Sequence, residues 1–361
     1  MATFTPILEG DITKASIRHK IWKHLEDSNI ALHPRPVFSH IPNYRGATEA
    51  CDNITKLDAY KYATSIKVNP DKSQEELRFL ALRDRKQLYV PTPRLKNGLL
   101  NYIQLPEPST KAIRRCASYN GISEFGREID LDDEIRIDLV VTGCVAVSRE
   151  GWRIGKGEGY ADLEVAMMLL LRIMTPEILI ITSVHDSQVV EIPESIMQPH
   201  DIPVDIIVTP TQVINCPRRP RPPGIIWNLL TTEMLSEIPI LNVLREREYS
   251  SGADVSLKKT PEDNAQLDRA SGSKSKRGVS YRCLYTDRCS GGEENNNYQG
   301  EKSLPNVPYT SIRQASPVPN PDREDELYEA SSPPDVDVSK YQVINFTDFY
   351  AQNPDWTLYK Q

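Results

Sequence analysis

The chain has 361 residues, 39% of them hydrophobic, and carries 43 basic against 50 acidic residues for a net charge of −7. That balance excludes wholesale binding to nucleic acid, although it leaves room for a local basic patch. No apolar run is long enough to span a bilayer and no signal peptide is recognisable, so the sequence predicts no membrane segment and a cytoplasmic setting.

The hydrophobic shortfall is local. Apolar and amphipathic stretches fill residues 10–248, whereas residues 249–361 are dominated by Ser, Asp, Glu, Asn, Pro and Lys. A segment of the second kind buries too little apolar surface to offset its ordering entropy. The expected organisation is one folded domain over 10–248 and a disordered polar tail over 249–361. The six cysteines, Cys51, Cys116, Cys144, Cys216, Cys283 and Cys289, form no C-x-x-C pair. They read as reduced thiols, with Cys144 a small core residue in an apolar run.

A first helix is expected over residues 13–25, capped by Thr13 or Asp11. Its Ile17, Ile21 and Leu25 share one face with Trp22 beside them, and Lys14 and Arg18 stand four apart on the flank of that face. A short strand is expected over residues 36–40. Helices follow over 49–66, stopped near Asn69-Pro70, and over 73–85, where Ser73 and Glu76 are spaced as a capping box. Leu88-Tyr89-Val90 reads as a strand ended by Pro91 and Pro93, and residues 107–133 give no clear pattern. Apolar runs over 137–147, 178–184 and 204–208 read as buried strands. Trp227, Leu230, Leu235 and Ile238 suggest a last helix before Pro239. Strands alternating with helices imply a three-layer α/β fold, its mainly parallel sheet covered by helices on both faces.

The richest stretch is Arg153-Ile154-Gly155-Lys156-Gly157-Glu158-Gly159-Tyr160-Ala161-Asp162. It follows the 137–147 strand and leads into an apolar stripe of Leu163, Ala166, Met167, Leu170, Leu171 and Met174. Strand, glycine turn and helix together point backbone N–H groups and a helix N-terminus at one spot, which favours a phosphate. Gly155, Gly157 and Gly159 let the backbone approach a ligand closely. Arg153 and Lys156 add positive charge, and Asp162 is placed to hold a magnesium ion. The same residues also admit a structural reading, in which the glycines make a tight turn and Asp162 complements the helix dipole. The spacing matches neither of the two common phosphate-loop motifs. A second basic stretch, Arg218-Arg219-Pro220-Arg221-Pro222-Pro223, reads either as a phosphate or proline-recognition contact or as a stiff connector. Ser273-Lys274-Ser275-Lys276-Arg277, in the tail, is a short solvated basic run.

In this order, four blocks resemble the 5-formyltetrahydrofolate cyclo-ligase family, also called methenyltetrahydrofolate synthetase. They are Lys14-Ala15-Ser16-Ile17-Arg18, the strand from Asp138 to Ala146, the Arg153-to-Asp162 stretch, and the block from Pro199 to Thr209. The runs from Ile41 to Gly46 and from Lys67 to Lys72 are similar to one subgroup of that family. The resemblance covers about residues 10–248.

It implies the family's three-layer fold and its chemistry: ATP phosphorylates the formyl oxygen of 5-formyltetrahydrofolate, a folate nitrogen attacks the activated carbon, and phosphate leaves. By the same resemblance Lys14, Arg18, Arg153 and Lys156, with the Gly155, Gly157 and Gly159 backbone, would hold the nucleotide phosphates. Tyr160 would line the pocket, Asp162 would help hold magnesium, and Glu49 would contact the folate. The chain departs from the family pattern at Thr142, where Pro is usual, and at Val147-Ser148, where Phe-Asp is usual. It departs again at Ala161 and Leu163, where Tyr and Arg are usual. A domain that keeps a nucleotide site with weakened or lost ligase turnover, acting as a binding or regulatory protein, is therefore expected; an active ATP-dependent ligase is the alternative. Members of the subgroup often carry an RNA-recognition motif, which makes RNA a possible partner, although the tail here lacks the paired aromatic strand blocks of that module.

Overall fold

The computed structural model describes residues 12–259. Helix α1 (Lys14–Asp27) begins at Thr13, whose hydroxyl accepts from the Ser16 N–H while Ser16 Oγ accepts from the Thr13 N–H. Its buried stripe of Ile17, Ile21, Trp22 and Leu25 packs in a small cluster with Val145, Ala146 and Ile154. A two-stranded ladder of β1 (Ala31–Leu32) and β2 (Asn43–Tyr44) follows. The strand expected over 36–40 is absent: bends and turns occupy residues 33–40, where Pro34 and Pro36 offer no N–H to a ladder.

The single helix expected over 49–66 is three elements: α2 (Ala47–Thr55), α3 (Asp58–Tyr62) and strand β3 (Ser65–Val68). In β3, Ile66 and Val68 fill one face of the sheet and Lys67 stands on the other, so pairing with strands on both sides overrides helix propensity. Helix α4 (Glu75–Arg83) is preceded by a tight turn over Lys72–Gln74. Ser73 lies inside that turn, buried and without a partner for its hydroxyl, so the expected capping box does not form.

The strand β4 (Gln87–Pro91) matches its expected position. The unassigned stretch then resolves into β5 (Leu100–Ile103), α5 (Thr110–Ala117), α6 (Tyr119–Phe125) and β6 (Gly126–Glu128). The 137–147 run is divided between β7 (Leu139–Thr142) and β8 (Ala146–Val147), and β8 forms a hairpin with β9 (Arg153–Ile154). Helix α7 (Tyr160–Leu170), β10 (Leu179–Ser183), β11 (Ile206–Val208) and β12 (Val213–Asn215) follow. Helix α8 (Thr232–Glu237) stops before Pro239, as expected, but Pro239 then opens a further helix, α9 (Ile240–Ser250). Proline is tolerated at a helix start, where its missing N–H has no intrahelical partner to lose.

Eight strands form one mixed sheet in the order β12-β11-β10-β7-β3-β4-β5-β6. The five central strands, β11 to β4, run parallel, and β12, β5 and β6 join antiparallel at the edges. One face carries α7, α8 and α9 over Val140, Ile180 and Ile207. The other carries α2, α4 and α5 over Val68, Val141 and Ile181. This is the three-layer α/β arrangement expected.

The chain leaves β3 toward β4 on one side and leaves β7 toward β10 on the other. Where neighbouring parallel strands diverge in this way, their carboxyl ends open a crevice suited to a ligand. Past residue 248 the chain still touches the core: Val255 is buried in it, and the Lys258 N–H donates to the Leu230 carbonyl at 2.9 Å. From residue 260 the expected polar tail, with Cys283, Cys289 and the 273–277 basic run, lies outside the described residues.

Candidate functional site

The glycine loop does not leave the main sheet directly. After β7 the chain turns through Gly143 and Cys144, runs out along β8, reverses over Ser148–Trp152 and returns as β9. The loop of residues 155–159 therefore leaves a hairpin at the carboxyl end of β7. Because α1 packs its apolar stripe on this hairpin, its polar flank meets the loop: Arg18 Nε donates to the Gly155 carbonyl at 2.7 Å. Lys14, one turn earlier, is buried against Asp201, with 2.5 Å between Nζ and Oδ2. These two contacts hold the polar flank of α1 against the glycine loop and against Asp201.

Backbone geometry at the loop explains two of its glycines. Gly157 has φ +102° and Gly159 has φ +73°, conformations that residues with a Cβ rarely adopt. A Cβ on Gly157 would also come within 3.2 Å of the Arg18 guanidinium. Gly159 is the N-cap of α7 and supplies no side-chain cap. The N–H groups of Lys156, Gly157, Glu158 and Gly159 donate to no protein acceptor among the described residues. Four consecutive unclaimed donors beside a helix N-terminus are an arrangement that favours an anion.

The charges around those donors come in pairs. Arg153 is buried; it donates to the Gly143 carbonyl at 3.2 Å and pairs with Asp162 Oδ1. Burial alone would weaken the proton affinity of that guanidinium, but the adjacent Asp162 carboxylate more than restores it. Asp162 Oδ1 also accepts from the Ile202 N–H at 3.1 Å. Lys156 pairs with Glu158 at 2.7 Å at the surface. Tyr160 is partly buried at the start of α7, packed against the core cluster. Eight of the nine residues expected to bind phosphate or metal thus lie in or against this loop, and Lys14 joins them through α1. Glu49 is set apart: it is exposed in the first turn of α2, and its side chain makes no hydrogen bond or ion pair among the described residues. No group of three or more His, Cys, Asp or Glu side chains that could hold a metal occurs among the described residues. A magnesium ion here would need oxygen ligands from the nucleotide itself.

Several residues of the crevice carried no role in the sequence reading. Lys67, fully buried on β3, pairs with Glu164 of α7 at 2.7 Å and donates to Asn69 Oδ1 at 2.5 Å. This pair ties the glycine-loop helix to the central strand. Asp71 follows β3 at the crevice, with Oδ2 only 2.9 Å from where a Cβ on Gly143 would stand, so Gly143 keeps that approach open. Burial holds the Asp71 carboxyl above the usual carboxylate range, against the pull of Lys156 and Arg78. Arg78 is fully buried and donates to the Asn69, Asp71 and Ala117 carbonyls, bracing the turn after β3. The sequence did hold a signal for two of these: a lysine in the middle of Ser65-Ile66-Lys67-Val68 and a glutamate inside the apolar run from Leu163 to Leu171. Charges in such places persist only when paired.

The second basic stretch forms no comparable surface. Arg219 lies over the Trp152 ring and donates to the Glu150 carbonyl at 2.8 Å. Arg221 is buried against Asp205, and Arg218 donates to the Pro176 carbonyl at 3.2 Å.

The chain is similar to known proteins over most of the described residues. The family model described as 5-formyltetrahydrofolate cyclo-ligase family matches residues 12–210. A methenyltetrahydrofolate synthase domain-containing protein of Mus musculus is 49% identical over 253 residues, covering 69% of this chain and 68% of that protein. The Homo sapiens protein of the same name is 49% identical over 249 residues, covering 68% and 65%, and the Danio rerio protein is 46% identical over 289 residues, covering 78% and 76%. The match thus spans about two thirds to three quarters of those relatives. Among solved structures, the Aquifex aeolicus 5,10-methenyltetrahydrofolate synthetase is similar at 18% identity and a TM-score of 0.38, over 58% of this chain and 95% of that one. On the family model and the curated relatives, this chain belongs to the 5-formyltetrahydrofolate cyclo-ligase family.

Proposed function

We propose that this protein binds ATP with magnesium at the glycine loop, holds a folate in the crevice between β3 and β7, and has weak or no ligase turnover, so that it acts as a binding or regulatory domain. The observation that carries the nucleotide reading is the run of unclaimed N–H donors from Lys156 to Gly159 beside the α7 N-terminus, with Arg18 against it. The buried Gln74 amide and Thr142 hydroxyl, which have no hydrogen-bond partner among the described residues, support a polar ligand nearby. When bound, the nucleotide would supply the phosphoryl group, with magnesium beside Asp162.

Weak turnover is argued from where the departures from the family pattern lie. Leu163 is 1% exposed and packed in the core, so no charge reaches the loop from the position where the family usually carries an arginine. Loss of such a charge-assisted contact costs about 1.5–3 kcal/mol. Val147 and Ser148 are likewise buried. Misplacement of a reacting group by about 1 Å costs about a hundredfold in rate. The second reading, an active cyclo-ligase making 5,10-methenyltetrahydrofolate, is favoured by the unbroken run of Arg153, Gly155, Gly157, Gly159, Tyr160 and Asp162. RNA as a partner gains no support from the 218–221 stretch, whose arginines are engaged by their own chain. None of the described helices is long and apolar enough to cross a membrane, and the cytoplasmic setting is proposed from the cysteine usage.

The test is formation of methenyltetrahydrofolate from 5-formyltetrahydrofolate with ATP and magnesium, followed by absorbance, beside a binding measurement for ATP. Binding without turnover supports the binding-domain reading. Robust turnover abolished by Asp162→Ala replaces it with the enzyme. Recovery of activity in an Ala161→Tyr, Leu163→Arg variant identifies those two positions as the cause of the loss.

A further inference from the structure

The glycine loop carries its own anion. Around it the structure holds four pairs of a cation with a carboxylate: Lys14 with Asp201, Arg153 with Asp162, Lys67 with Glu164, and Lys156 with Glu158. The first three are enclosed, with side chains at most 13% exposed. Separating such a pair leaves a buried charge without a partner, so they do not exchange readily with a ligand. Lys156 and Glu158 are 37% and 40% exposed. Solvent replaces their mutual contact at little cost, which makes Lys156 the cation of these four pairs that is able to change partners. Glu158 lies between Gly157 and Gly159, inside the run of unclaimed N–H groups where the phosphate is placed.

We propose that Glu158 is a built-in competitor for the anion at this loop: its carboxylate holds Lys156 when the loop is empty and must release it when a phosphate group binds. Residue 158 therefore sets both the strength and the selectivity of phosphate binding, a conclusion that rests on the nucleotide reading given above. The carboxylate opposes an incoming phosphate twice. It occupies the lysine, and after displacement it stays within a few ångströms of the new negative charge. Both effects weaken a ligand that brings only charge, such as inorganic phosphate. A nucleotide with magnesium brings its own countercharge and further contacts, so it is opposed less.

The experiment is calorimetric titration of the full chain with ATP–magnesium and, separately, with inorganic phosphate. It uses the wild type, Glu158→Gln, Lys156→Gln and the double variant, each shown folded by its thermal transition. Glu158→Gln is expected to tighten ATP–magnesium by about fivefold and inorganic phosphate by a larger factor, as removal of a close like charge requires. Lys156→Gln is expected to weaken ATP–magnesium by a similar factor. In the Lys156→Gln background, the gain from Glu158→Gln is expected to fall to about twofold or less, since there is no longer a lysine to release. Unchanged or weaker ATP binding in Glu158→Gln overturns the proposal, the weaker case marking Glu158 as a metal-side ligand. An equal gain in both backgrounds also overturns it, as repulsion without competition. Absence of ATP binding in all four proteins removes the nucleotide reading itself, whereas wild-type binding with an inert Glu158→Gln removes this inference alone.

Discussion

Two stretches of this chain carry cations and differ in what they build. Arg153 to Asp162 brings two cations with two carboxylates, and Arg218 to Pro223 brings three arginines with none, each into a connection between regular elements. In the first, glycines hold the backbone open, four N–H groups stay unclaimed, and a helix begins at the same point. In the second, prolines remove donors, and each arginine is drawn onto its own chain: onto Trp152, Asp205 and the Pro176 carbonyl. Positive charge alone does not make an anion site; available backbone donors and an open approach do. Of its two readings, the connector is the one that these contacts within the chain favour.

The comparison breaks most sharply through the two buried pairs. Arg153→Ala and Arg221→Met each strand a carboxylate, Asp162 in one case and Asp205 in the other. Each variant should lose about 3 kcal/mol or more of stability in denaturant unfolding. They should part at binding. Arg153→Ala is expected to weaken ATP–magnesium by about tenfold or more, because the loop it braces through Asp162 and the Gly143 carbonyl loses its geometry, while Arg221→Met leaves it within about twofold. Equal loss of binding in both would place the second stretch in the site as well.

A smaller effect separates the two kinds of backbone. Gly157→Ala puts a Cβ on a residue at φ +102° and close to Arg18. The expected loss is about 1–2 kcal/mol of stability, with weaker ATP binding because the donors no longer converge. Pro220→Ala, in the second stretch, should leave binding unmoved. The smallest effect belongs to Arg219→Ala, which removes a partly exposed cation–ring contact worth about 0.5–1 kcal/mol. A thermal melt reads it, and binding should not respond.

The mainly parallel sheet, the first helix and the glycine loop were legible because each rests on a local signal: an apolar run, a stripe at helical spacing, or glycines before such a stripe. Errors fell where tertiary pairing decided. Ser65–Val68 reads as the end of a helix until strands on both sides claim it. Pro239 reads as a stop, yet it opens α9. Within the candidate site, the cluster at the glycine loop was legible from residues close in sequence. The Lys67–Glu164 and Lys14–Asp201 pairs join residues 97 and 187 positions apart, which no local pattern reveals. Glu49 was assigned by resemblance alone, and the fold leaves it exposed on α2 without a polar partner.

The central claim is that the anion site is the glycine loop and not the proline-rich stretch. The most direct test is one calorimetric titration series with ATP–magnesium on the full chain, comparing wild type, Gly157→Ala and Arg219→Ala. Saturable binding in wild type, the same affinity in Arg219→Ala, and a loss of about tenfold in Gly157→Ala is the result expected, since that factor corresponds to about 1.4 kcal/mol. No binding in wild type, or a loss in Arg219→Ala as large as that in Gly157→Ala, would contradict it.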